Sequence, residues 1–261
     1  MKKSYFTLFL FIILFSNFEL KAQKKKKMSK FDTLVTISTQ FGDMKILLYE
    51  KTPKHRENFL KLAKEGFYNN LLFHRVIKNF MIQGGDPDSK NAPAGAQLGA
   101  GISAPKYKVD AEFLPELFHK KGVIAAARDG NPQKASSSTQ FYIVQGKKLN
   151  DNEIESSKKR SGAVYTDEQV KIYKEIGGTP SLDQNYTVYG EVVQGIEIID
   201  KIAEVATDRN DRPEKDVQMQ VSIKRMSKKK ITKEFGFQYE ENTTKTDDKK
   251  KKKEIIEKPK E

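Results

Sequence analysis

Apolar residues along this chain fall mostly in short alternating runs, the period of half-buried strands, with a few stretches at helical spacing. Residues 34–39 and 44–49 alternate on either side of Phe41-Gly42-Asp43 and predict a β-hairpin. Thr52-Pro53 then offers an N-cap with proline at the first helical position. A one-sided stripe of Phe59, Leu60, Leu62 and Ala63 ends before Gly66, which predicts a helix of about three turns. Residues 73–77 and 80–83 read as two strands around Lys78-Asn79, with Phe73, Arg75 and Ile77 on one side and His74 and Val76 on the other. Residues 122–127 form a small-residue strand, 196–205 (IEIIDKIAEV) a second helix, and 217–223 a last strand. The polar stretch 147–178 interrupts this order. Within it Thr166-Asp167-Glu168-Gln169 has capping-box form, followed by Val170, Ile172, Tyr173 and Ile176 at helical spacing. The pattern predicts a mainly β, antiparallel domain capped by two helices, with a helical insertion that either guides a substrate or packs as a solvated addition.

The 261 residues carry a net charge of +13, which would suit an anionic partner, but its distribution changes that reading. Residues 1–30 hold eight Lys and one Glu, and residues 227–261 hold twelve Lys against eight acidic residues, leaving +2 on residues 31–226. Specific nucleic-acid binding by the domain is therefore not expected. Met1-Lys2-Lys3, an apolar run from 5 to 15 and a following small-residue region have the form of a signal peptide cleaved after Ala22. The run is short of the ~20 residues that span a bilayer, so no stable membrane anchor is expected. The mature protein is expected to be periplasmic or secreted and monomeric, with residues 23–30 as a basic leader and 227–261 as a lysine-rich, largely disordered tail. Phe235, Phe237 and Tyr239 alternate within that tail and could dock on the domain as an added strand. Cysteine is absent, and His55, His74 and His119 have no metal-ligand spacing, so neither metal nor cofactor is expected. The Gly-rich stretch 92–104 lacks the Lys-Ser/Thr of a phosphate loop, and its glycines suit a backbone running beside a bound peptide.

The most unusual stretch is 73–87, FHRVIKNFMIQGGDP, in which an arginine stands among strand residues. An arginine facing inward either lines a ligand site or pairs with a carboxylate. This stretch resembles the active-site segment of the cyclophilin family of peptidyl-prolyl cis/trans isomerases. Two further segments resemble that family in the same order: 122–144 (GVIAAARDGNPQKASSSTQFYIV) and 182–192 (LDQNYTVYGEV). The resemblance covers about residues 34–226.

The resemblance implies a closed eight-stranded antiparallel β-barrel capped by two α-helices, acting on proline-containing polypeptides during folding of exported proteins. It implies that Arg75 donates a hydrogen bond near the prolyl amide. Phe80, Met81, Tyr142 and Leu182 would form a proline socket, Gln83 and Gln140 would make amide contacts, and Ala127 and Arg128 would touch the substrate strand. Read without the resemblance, Phe80, Met81 and Leu182 could equally be core. Four positions depart from the common family pattern: Ser181 for tryptophan, Tyr142 for phenylalanine, Tyr186 for histidine and Arg128 for asparagine. Tyr142 keeps a ring in the socket, whereas the missing indole implies a weak grip on cyclosporin, the cyclic peptide that inhibits many relatives. The alternatives are a proline-segment binding module or holdase with little turnover, and a surface adhesin or scaffold acting through the basic tails.

Overall fold

The hairpin forms as the hydrophobic alternation predicts. In this computed structural model, which describes residues 29–239, β1 (Phe31–Thr39) and β2 (Gly42–Leu48) pair in register from Leu34↔Leu47 to Thr39↔Gly42. Val35, Ile37, Met44 and Ile46 point into the core, while Leu34 and Leu47 point to the opposite face. The remaining strands are β3 (Phe73–Ile77), β4 (Met81–Gly84), β5 (Lys108–Val109), β6 (Val123–Ala126), β7 (Ser136–Ser137), β8 (Phe141–Val144), β9 (Val188–Gln194) and β10 (Gln220–Ser227). Eight of them make one antiparallel sheet in the order β10-β1-β2-β9-β6-β8-β4-β3, and β5 and β7 pair separately. The fold is thus mainly β and antiparallel, as expected, with β3 and β10 at the two ends of the sheet and not paired with each other as strands. The segments leading into them meet instead. A single bridge links Leu72 with Gln218, flanked by bonds from Asn70 N to Met219 O and from Phe73 N to Val217 O.

Helix α1 (Pro53–Lys64) buries His55, Phe59, Leu62 and Ala63 against the sheet, where Phe59 stacks on Tyr68 and meets Phe141 edge to face. Thr52 stands at its N-cap but makes no side-chain cap. Its hydroxyl turns back to Tyr49 O, and the carboxylate of Glu112 caps the helix from outside, accepting from Lys54 N and His55 N at 3.0 Å each. Helix α4 is Ile196–Ala203, and its buried stripe of Ile198, Ile199, Ile202 and Ala203 joins the same core.

The insertion is a pair of helices, α2 (Asp151–Ser161) and α3 (Asp167–Glu175), each with a complete capping box, Asn150/Glu153 and Thr166/Gln169. They pack on the domain through a small cluster of Ile154, Tyr173 and Phe118.

The expectation of a disordered tail from 227 onward, with an added strand at 235–239, is corrected for its first thirteen residues. Residues Lys228–Phe235 form α5, capped by Ser227 and closed by Gly236 in the left-handed region (φ 69°). Its Ile231 is fully buried with Leu34, Leu47 and Met226, and Phe235, Phe237 and Tyr239 pack on that cluster. Of the lysines in this helix, Lys229, Lys230 and Lys233 are exposed on its outer side, while Lys228 is largely covered, its Nζ 2.8 Å from Glu50 and over the Tyr239 ring. The hydroxyl of Tyr239 donates to Asp32 Oδ2 at 3.0 Å. Ile231→Ala is therefore expected to lower unfolding stability by ~2–5 kcal/mol, read from urea denaturation; no change would mean that α5 is not part of the cooperative unit. The signal-peptide expectation and the rest of the tail lie outside the described residues.

Candidate active site

Strand β3 does not keep a strict two-residue period. Phe73 pairs with Gly84 and Arg75 with Gln83, so three residues on β3 face two on β4 and His74 is the extra one. This β-bulge corrects the side assignment made from alternation: Phe73, His74 and Val76 are buried, while Arg75 turns outward with 44 % of its side chain exposed. Arg75 lines a cavity, and its Nε donates to Asp211 Oδ2 at 3.3 Å. Among the described residues its two terminal nitrogens have no protein partner, which leaves the fork available to a ligand. Asp211 is held beside it by the bond from Val76 N to Asp211 O.

Beside Arg75 lies a cavity of about 170 Å³ walled by Phe80, Met81, Gln83, Ala127, Arg128, Tyr142, Leu182 and Tyr186. Every element contributes for a local reason. Phe80 sits in the β3–β4 turn, its carbonyl accepting from Gln145 N and Gly146 N. Met81 and Tyr142 stand on the outward faces of β4 and β8, on the side away from the main core. Leu182 ends a short 3-10 turn, Pro180–Leu182. Gly85 lets the chain leave β4 against residues 139–140: at φ 87°, a Cβ would lie 2.3 Å from Thr139 O.

Eight of the nine residues expected at the site thus meet around one cavity. Gln140 does not line it. Its side chain is buried behind Gln83, accepting from Gln83 Nε2 at 3.0 Å and donating to Gly99 O at 2.9 Å. This chain of amides fixes Gln83 and ties the Gly-rich loop to the site. Tyr186 joins the wall, with the Arg128 guanidinium 4.6 Å over its ring. The cavity continues on both sides. It shares Arg75 and Gln83 with a cleft of about 440 Å³ that reaches Gly99 and Asp208, and Phe80 with one of about 490 Å³ beside α2.

Behind the socket floor lies a buried network that the sequence reading did not find. The Tyr142 hydroxyl lies 2.8 Å from His119 Nε2, His119 Nδ1 lies 2.6 Å from Asp183 Oδ1, and Tyr173 Oη donates to Asp183 Oδ2 at 2.5 Å. Asp183 also accepts from His119 N at 2.8 Å. Since a carboxylate can only accept, Nδ1 keeps its hydrogen and donates it to Asp183, Nε2 is left to accept from the tyrosine, and the Tyr142 ring is locked in orientation. Burial raises the Tyr142 hydroxyl well above the usual phenolic range, so it remains a donor. The nearest sequence signal was the substitution of tyrosine for the usual phenylalanine at 142, but nothing tied it to His119.

His74, displaced inward by the bulge, has both ring nitrogens buried without a protein partner. Burial pushes its pKa down to about 4, against the opposing pull of Asp86, so the ring is neutral near pH 7. Among the described residues no group of His, Asp or Glu side chains is arranged to hold a metal ion.

Comparison with known proteins agrees with this geometry. Residues 34–224 match the family model of cyclophilin type peptidyl-prolyl cis-trans isomerases. A Staphylococcus epidermidis protein described as a peptidyl-prolyl cis-trans isomerase is 34% identical over 196 residues, 75% of this chain and 93% of its own length. A Streptococcus pyogenes protein described as a bifunctional phosphatase/peptidyl-prolyl cis-trans isomerase is 38% identical over 186 residues, and there the match spans only 37% of the relative. Among solved structures, a Cryptosporidium parvum cyclophilin type isomerase superposes with a TM-score of 0.53 at 25% identity, covering 74% of this chain and 98% of that one. The same protein has also been solved in the presence of the dipeptide Ala-Pro, with a TM-score of 0.52. With an arginine fork and an amide at the rim of an apolar socket, and a family match across the domain that carries them, the chain belongs to the cyclophilin-type peptidyl-prolyl cis-trans isomerases.

Proposed function

We propose that this protein accelerates rotation about X-Pro bonds in exported polypeptides, with Arg75 as the residue that acts on the reacting amide. The observation that carries this reading is the placement of the free Arg75 fork beside a proline-sized apolar cavity. Rotation about a peptide bond meets a barrier of ~18–20 kcal/mol because the nitrogen lone pair is delocalised into the carbonyl. In the twisted state that delocalisation is lost and the nitrogen becomes pyramidal, so a donor placed there binds the transition state better than either isomer. Phe80, Met81, Tyr142 and Leu182 grip the ring, Gln83 holds the flanking carbonyl, and Ala127 and Arg128 offer contacts to the substrate strand. No proton transfer or covalent step is required.

The reading extends to a closed barrel, the bonds between residues 70–73 and 217–219 serving as the seam, and to a monomer in the periplasm or outside the cell. The basic start, apolar run and small residues of the first 22 residues support export. No helix among the described residues is long and apolar enough to cross a membrane. The test of function is acceleration of cis/trans exchange in a short neutral X-Pro peptide by the purified protein. Binding of the peptide without faster exchange would favour a holdase. Mass measurement of the exported protein tests removal of residues 1–22.

A flat rate profile between about pH 6 and 8 is expected, because arginine stays charged and Tyr142 and His74 do not change protonation there. Stability should behave differently. The His74 pKa is lower folded than unfolded, so its neutral form is compatible with the fold above about 6.5 and protonation opposes folding as pH falls from there toward about 4. Denaturant midpoints across this range, compared with His74→Gln, check the assignment. A limb in the rate profile near neutrality would reveal a titrating group at the site.

A further inference from the structure

The cleft beside α2, about 490 Å³, belongs to neither the socket nor the core. One wall is the β3–β4 turn, Asn79 and Phe80; the other is the insertion, from Lys147 through Arg160, and its base is residues 178–181. Phe80 is a wall of both this cleft and the socket, and Ser181 on its base is the neighbour of Leu182 in the socket. On the far side, Arg75 and Gln83 are shared by the socket and the 440 Å³ cleft. The three spaces therefore follow one another, and an extended polypeptide with its proline in the middle one has room in both directions.

The chemistry of the insertion cleft is one-sided. Its single carboxylate, Glu153, is already satisfied: Lys147 Nζ lies at 2.6 Å from Oε1, and Asn150 N donates to Oε2 at 2.9 Å. Arg160, exposed on α2, has no ion pair or hydrogen bond among the described residues. Asn79, Asn152 and Ser156 add uncommitted polar groups. At the base, the Thr179 hydroxyl is buried, with the residue only 6 % exposed, and has no partner. A buried hydroxyl without a partner is uncommon and suits a site completed by a bound polar group.

The geometry points to a second substrate subsite, built by the insertion, that takes an acidic side chain of the polypeptide a few residues from the isomerising proline. This rests on the isomerase reading. It also gives the insertion the first of the two roles open to it in the sequence, guiding a substrate. Arg160 supplies the unpaired charge, and the asparagines and Thr179 supply hydrogen bonds. Serine at 181, where a bulky ring is common, leaves the passage from the socket open.

The test compares peptides that differ only in carrying Glu, Gln or Lys two to four residues to either side of X-Pro, using the full-length protein. The readout is kcat/KM for the Glu peptide divided by that for its Gln counterpart. On the favoured side this ratio is expected to be roughly two to five, the size of an exposed charge pair, and to approach one at high salt. Arg160→Glu is expected to bring the ratio below one and to favour the Lys peptide, with Arg160→Ala between the two. Circular dichroism confirms the fold of each variant, and Asn152→Asp, which adds a negative charge to the same cleft from another position, gives an independent reading in the same direction. A wild-type ratio of one on both sides, or a ratio that Arg160→Glu and Asn152→Asp leave untouched, overturns the subsite while leaving the isomerase intact. Absence of any turnover of the Gln peptide would overturn the isomerase reading itself.

Discussion

Arg75→Ala is expected to slow isomerisation at least tenfold without loosening the fold. A donor present only in the transition state is worth roughly 2–4 kcal/mol, and among the described residues Arg75 is the one cation of the cavity wall with both terminal nitrogens uncommitted; Arg128 is bound to backbone oxygens of Asn185 and Asp129. Stability should barely change, because the pair with Asp211 is between side chains 44 % and 40 % exposed, and such pairs contribute ~0–1 kcal/mol. Arg75→Lys keeps the charge but not the planar fork, so it should recover only part of the rate. The measurement is a pair of numbers for each variant, catalysed exchange rate and urea midpoint. A folded Arg75→Ala protein with near-normal turnover would remove arginine from the mechanism.

Asp183→Ala is expected to carry the largest stability cost, ~3–5 kcal/mol in denaturant unfolding. The carboxylate is buried and accepts from His119 N, His119 Nδ1 and Tyr173 Oη, all of which would lose their acceptor at once. Tyr142→Phe removes only the last hydroxyl of the network and leaves one histidine nitrogen unpaired, so ~1–3 kcal/mol is expected. The catalytic effect of Asp183→Ala should follow from the Tyr142 ring, which loses its lock and grips the proline less well, raising KM more than it lowers kcat. Equal stabilities for Asp183→Ala and the native protein would mean that water satisfies these donors.

Much of this site was legible because its residues cluster in three short segments whose order resembles a family. Arg75, Phe80, Met81, Gln83, Ala127, Arg128, Tyr142 and Leu182 meet at one cavity as that resemblance implied. What stayed hidden depends on partners far apart in sequence or on counting backbone residues. Alternation alone could not show that His74 is supernumerary, since a bulge is a property of the pair β3–β4 and not of β3. Glu112 capping α1 and Asp211 steadying Arg75 are contacts between segments whose local patterns do not mention each other. The first part of the tail, residues 227–239, was misread because lysine content was weighed over spacing: Ile231 and Phe235 are four residues apart, enough for one buried side of a short helix.

The course of the chain at its two described ends gives the molecule a direction. Phe31 is paired with Ser227, Lys228 N bonds Lys30 O, and Tyr239 reaches Asp32, so both ends depart from the β1–β10 edge. In the strand order of the sheet that edge is separated from β8 by β2, β9 and β6, while the start of β10 meets the start of β3 through residues 70–73 and 217–219. The lysine-rich sequences at both ends therefore continue from described residues that lie together at this edge of a nearly neutral domain. An anionic surface that attracts those lysines therefore pulls on the domain at one place, the β1–β10 edge, where both described ends leave it.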